Sequence, residues 1–99
     1  MNYITSNRKY CKTVDFTKKR FHSHQARIYD YTLEDGVKQT EFWSYSTPMI
    51  VQVDGELYMN KKWYSSSTTR QVNRYCREYG INTSRAIKLD EYEIRALCR

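Results

Sequence analysis

Apolar and aromatic positions recur mostly at period two up to about residue 60 and at helical spacing after it, so the pattern predicts strands first and helices last. The clearest strand signal runs from Ala26 to Leu33; Glu34-Asp35-Gly36 follows, then a second β-branched and aromatic run from Val37 to Tyr45. A three-residue connection ending in Gly suits a hairpin whose left-handed position falls on Gly36, where no Cβ clashes. That register puts Arg27, Tyr29, Tyr31 and Trp43 on one face, and Ile28 and Phe42 beside Asp30, Thr32, Lys38 and Thr40 on the other. The first face is the more apolar, which predicts burial of its aromatics beneath a helix. The competing reading is an open stacking platform of the kind single-strand RNA readers display.

Pro48 has no N–H for a ladder, so Ser46-Thr47-Pro48 is expected to break the strand before Met49 to Val53 begins a new one. Asp54-Gly55 reads as a two-residue I′ turn into Glu56 to Met59. Both faces of this second hairpin are apolar, which predicts a central place in the sheet. Upstream, Tyr10, Val14 and Phe16 at period two permit a strand over residues 8–15, which Lys18-Lys19-Arg20 then interrupts.

After residue 60 the period changes. Ser65 to Thr69 is a cluster of good N-cap residues, and the helix it opens should stop at Gly80. Val72, Tyr75, Cys76 and Tyr79 form one stripe for burial; at about 100° per residue, Arg70, Arg74 and Arg77 fall within an arc of about 60° on the opposite side. A turn at Ile81 to Thr83, an extended Ala86 to Leu89 and a short helix capped by Asp90 complete the chain, with Tyr92, Ile94 and Leu97 available for packing. The expected fold is α+β: an antiparallel sheet of about four to five strands in two hairpins, with one main C-terminal helix and a short terminal helix on one side of it.

Ninety-nine residues make a single domain, 1–99, and leave little chain for a buried catalytic cleft. Residues 1–24 read as a basic N-terminal arm whose order the pattern leaves open. Three cysteines without a CxxC pair argue against a disulfide framework or a zinc knuckle and for free thiols in a reducing cytosol. The start carries no long apolar run, and no segment approaches the ~20 apolar residues of a membrane span, so a cytoplasmic protein is expected.

The net charge of +6 is unevenly spread: residues 1–28 carry +6, residues 29–57 carry −5 and residues 58–80 carry +4. Such segregation steers a polyanion, or the acidic patch of a partner, toward one surface. The candidate contact residues are the helix row Arg70, Arg74 and Arg77, the arm residues Lys18, Lys19 and Arg20, the pair Lys61 and Lys62, and Arg27 on the aromatic face. Guanidinium forks match phosphate oxygens, and aromatic side chains among cations pair electrostatics with base stacking. A solvated basic face, and a charged edge strand that resists aggregation, are the plainer accounts of the same residues. His22-Ser23-His24 with Cys11 lacks the ligand spacing of a metal site and the third group that orients a catalytic base. Glu34, Asp35, Asp54 and Glu56 sit at predicted turns for local reasons. No cofactor, metal or catalytic group is therefore expected.

Ser44-Tyr45-Ser46-Thr47-Pro48-Met49, followed after the Asp54-Gly55 hairpin by Trp63-Tyr64-Ser65-Ser66-Ser67-Thr68-Thr69-Arg70-Gln71, resembles a family of small bacteriophage-encoded proteins of unknown function. The likeness covers residues 44 to about 80 and departs from the family pattern at Ser67 and Gln71, where Thr and His stand in that pattern. It implies a phage or prophage protein in a bacterial host cytoplasm, of the kind that binds host or defence machinery, CRISPR effectors included. The functional expectation is a non-enzymatic, phage-type inhibitor that occupies a site on nucleic acid or on a nucleic-acid-containing complex. The alternatives are a protein-directed inhibitor or adaptor that meets an acidic protein patch, and a small-molecule or nucleotide binder at a homodimer interface.

Overall fold

The computed structural model describes residues 11–99. It holds strands β1 (Thr13–Phe21), β2 (Ser23–Leu33), β3 (Lys38–Ser44), β4 (Thr47–Val53) and β5 (Glu56–Asn60). Helix α1 (Ser66–Tyr79), a short 3₁₀ turn (Thr83–Arg85), β6 (Ile87–Leu89) and α2 (Glu91–Leu97) follow. The sheet order is β1-β2-β3-β4-β5-β6; the first five strands form an antiparallel meander, and β6 adds parallel to β5.

Two connections follow the turn chemistry of the sequence. Leu33 N donates to Val37 O at 2.9 Å with Gly36 at φ 86°, and the β4–β5 turn has Asp54 and Gly55 at φ 53° and 79°. The other two hairpins turn on residues that carry no such signal. His22 alone, at φ 63°, links Phe21 to its partner Ser23; Tyr45 and Ser46 link Ser44 to its partner Thr47, with Tyr45 at φ 57°. The expected break at residues 46–48 is thus a tight turn, and Pro48 lies inside β4. Trp43 pairs with Pro48 and Phe42 with Ile50, so Met49 is the extra residue of a bulge; the proline is tolerated because the ladder is already irregular there.

The expected strand over 8–15 is corrected: β1 starts at Thr13 and runs on through Lys18, Lys19 and Arg20, while positions 8–10 lie outside the described residues. An edge strand exposed on both faces needs no apolar side, and of β1 only Phe21 is buried. Its lysines guard an edge that otherwise invites pairing. Residues 13–21 of the expected arm are therefore part of the sheet. The sheet has six strands because the extended stretch near residues 86–89 docks as β6.

The two helices lie on opposite faces of the sheet, a second correction. Ile28, Phe42, Ile50 and Met59 are consecutive register partners across four strands, and the α1 stripe Val72, Tyr75 and Cys76 packs on that row. Phe42 stacks on Tyr75 at 4.3 Å between ring centroids, and Phe21 meets both rings edge-on at 5.5 and 5.6 Å. On the other face Val51, Val53 and Tyr58 pack with Leu89, Ile94 and Leu97 beneath α2. Tyr92, expected to pack, is 83% exposed. Caps hold both helices: Ser65 accepts from Thr68 N, Gly80 closes α1 at φ 65°, and Asp90 with Glu93 forms a reciprocal capping box on α2.

Candidate nucleic-acid interface

Alternation along β1, β2 and β3 places three rows of side chains on the face that α1 does not cover. Arg20, Arg27 and Trp43 are register partners in the first row, Lys18, Tyr29 and Glu41 in the second, and Phe16, Tyr31 and Gln39 in the third. Helix α2 has only seven residues and packs on β4, β5 and β6, so it reaches no further than the β3 column; beyond it Arg99 alone crosses the third row, its backbone on Glu41 and its guanidinium on Thr13 and the Cys11 carbonyl. Tyr29, Tyr31 and Trp43 are in consequence half-buried instead of covered by a helix, which corrects the expectation of burial for these residues. The register was legible in the sequence; the choice of face was not, because it depends on which row continues across the central strands to meet α1.

The aromatics touch one another. Phe16, 48% exposed, stacks on Tyr31 at 4.9 Å between centroids and reaches Tyr29 at 6.1 Å, while Tyr29 meets Trp43 edge-on at 5.9 Å. The Arg95 guanidinium, fixed by Glu91 at 2.6 Å, lies 5.8 Å from the Trp43 ring. Beneath them Glu41 is fully buried and accepts from Trp43 Nε1 at 3.0 Å, Gln39 Nε2 at 2.8 Å and Arg99 N at 2.8 Å. Burial, reinforced by the Glu41 charge, pushes the Tyr31 phenol up to about 12. The same two causes push the Cys98 thiol upward. Both groups are therefore neutral at ordinary pH.

Cations line the outer margin. Lys18 and Arg20 are exposed, and Arg27, half-buried, donates from Nη1 to the His24 carbonyl. Arg20 stands directly opposite Arg27, a like-charge cross-strand pair that an anion between them would relieve. Across the sheet, the same strands show Asp15, Thr17, Asp30, Thr32 and Thr40, with Thr40 donating to Asp30 at 2.7 Å. That second face also carries Lys19, Lys38 and the Ile28–Phe42 pair on which α1 packs, so the aromatic cluster belongs to the first face alone.

The remaining predicted contact residues are scattered. Lys19 points to the α1 side, 5.9 Å from the Tyr79 ring. Arg70, Arg74 and Arg77 are exposed on α1, away from the aromatic face, and Arg74 is tied to Glu78 at 3.0 Å. Lys61 and Lys62 follow β5, with Lys62 4.9 Å from the Tyr64 ring. Of the predicted set, the fold therefore gathers Lys18, Arg20 and Arg27 with the aromatics. Sequence reasoning missed Glu41 and Arg95 as members of this site. Extending the β2 alternation by one strand would have added Phe16 to the same face. Among the described residues, no group of three or more His, Cys, Asp or Glu side chains is placed to hold a metal ion. No helix among them is long and apolar enough to cross a membrane. No protein-family model matches the chain, and comparison with the curated proteins and with the solved structures finds no match.

Proposed function

We propose that this chain is a non-enzymatic binding protein that takes single-stranded nucleic acid on its open β1–β2–β3 face. One observation carries the reading: Phe16, Tyr29, Tyr31 and Trp43 share that face with the juxtaposed Arg20 and Arg27. Bases stack on rings of any sequence context, at about 1–3 kcal/mol per base, while the cations track phosphates. Stacking on rings and contacts to phosphates carry no base code, so the binding is expected to tolerate sequence. Following the phage resemblance, the biological target is a host nucleic-acid-containing complex, a CRISPR effector being one instance, and inhibition works by occupying the strand.

A protein-directed reading is favoured by the same composition, since Tyr, Trp and Arg are also the residues that anchor protein interfaces. The two separate in one experiment. Fluorescence anisotropy with a short single-stranded oligonucleotide is expected to show saturable binding by the wild-type chain, weakened steeply by salt and by Arg20→Glu. Capture of one protein from nuclease-treated lysate, with no oligonucleotide affinity, would hand the face to a protein partner.

A further inference from the structure

A cleft of about 230 Å³ lies between the tip of the β1–β2 hairpin and the first two turns of α1, on the far side of the molecule from the aromatic face. Its walls are Phe21, His22 and Ser23 from the hairpin and Ser67, Arg70, Gln71 and Arg74 from the helix. The helix wall is rich in donors. Gln71 Oε1 is occupied by the Ser44 hydroxyl at 2.6 Å, which leaves the amide Nε2 as the free end of that side chain. Arg74 spends its Nε on Glu78, and the terminal nitrogens remain. Arg70 has no carboxylate partner among the described residues.

Glu78 is the neighbouring acid; it takes hydrogen bonds from His22 Nε2 at 2.9 Å and from Arg74, and does not line the cleft. The same contact clamps His22, the left-handed residue of the hairpin tip, against α1 and so sets the distance between the two walls. Ser23 lines this space, and its Oγ is buried with no hydrogen-bond partner among the described residues. A buried hydroxyl left unpaired costs stability unless a ligand or water completes it.

The geometry points to a binding site for a phosphate monoester. Arg70, Arg74, Gln71 and Ser67 line a space that admits a phosphate with part of an attached sugar, with the unpaired Ser23 hydroxyl behind its hairpin wall. Guanidinium forks match pairs of phosphate oxygens, and rotation of Ser23 about its Cα–Cβ bond would bring its unpaired hydroxyl to the same ligand. The ligand is either the terminal phosphate of a nucleic-acid strand or a free mononucleotide, which share this chemistry.

The test is titration of the ¹⁵N-labelled full chain with inorganic phosphate at constant ionic strength, followed by NMR. Saturable shifts at Ser23, the Gln71 side-chain amide and the Arg70 and Arg74 Nε–H groups are expected. Arg70→Ala should weaken binding about tenfold or more, the scale of one charge-assisted hydrogen bond, whereas Arg77→Ala, on the same helix outside the cleft, should not. Ser23→Ala provides a second variant that leaves the helix untouched and should also weaken binding. Shifts that never saturate, or that respond equally to Arg77→Ala and Arg70→Ala, would overturn the site. Comparing a 5′-phosphorylated with a 5′-hydroxyl oligonucleotide then identifies the source. Tighter binding of the phosphorylated strand assigns a strand end, and equal binding beside saturable phosphate assigns a mononucleotide. Phosphate saturation with no oligonucleotide affinity would leave this site standing and remove the proposed role of the aromatic face.

Discussion

The indole Nε1 of Trp43 donates to Glu41 Oε1 at 3.0 Å, two positions back along the same strand, so a buried carboxylate orients a ring of the open face. The other Glu41 oxygen accepts from Gln39 and from the backbone of Arg99, which ties the chain after α2 to β3. Replacing Glu41 with Ala strands these donors beneath the aromatics. We expect a loss of about 3 kcal/mol in urea unfolding, with the Trp43 emission shifted as its ring loses its hold.

Phe16 lies 48% exposed on an edge strand and stacks against Tyr31 and, more distantly, Tyr29. Phe16→Ala should therefore cost little stability, yet weaken oligonucleotide binding by about 1–3 kcal/mol, roughly tenfold to a hundredfold. Anisotropy beside thermal unfolding separates the two effects; equal affinity of wild type and variant sinks the stacking role.

Salt provides an independent count of contacts. If Lys18, Arg20 and Arg27 each neutralise one phosphate, the slope of log K against log salt should be about −2 for a single strand, and Arg20→Ala should reduce its magnitude by about 0.7. A slope near zero would mean that the cations do not meet phosphate.

Tyr31 titrates late because burial, and then the Glu41 charge, disfavour its phenolate. The folded state thus holds the proton more tightly than the unfolded chain, whose phenol keeps the ordinary value of 10.0. Its contribution to stability is intact below pH about 10 and is lost as the pH rises toward about 12. Tyr31→Phe should make the alkaline fall in stability shallower, read from urea midpoints on both sides of pH 10.

The Ser65 cap is separable from the aromatic face. Its hydroxyl accepts from Thr68 N at 3.1 Å, and Ser65→Ala should cost about 1 kcal/mol in urea unfolding. Oligonucleotide affinity should be unchanged, because the aromatic face lies across the sheet.

Local chemistry was enough to place much of this fold from the sequence. Gly36, Asp54-Gly55, Ser65 and Gly80 act within a few residues of themselves, so the two hairpin turns and both ends of α1 were legible. The two-residue alternation likewise assigned Arg27, Tyr29, Tyr31 and Trp43 to one face, because side-chain direction in a strand depends only on parity. Tertiary structure decided what covers that face. Ile28 and Phe42 are few and sit among polar neighbours in their own hairpin, yet they join Ile50 and Met59 in a row long enough to receive α1. The richer aromatic face is left with α2, too short to span it. His22 and Tyr45 take left-handed turns that their residue types disfavour, and no local signal marks them; the packing of the strands on either side imposes those turns.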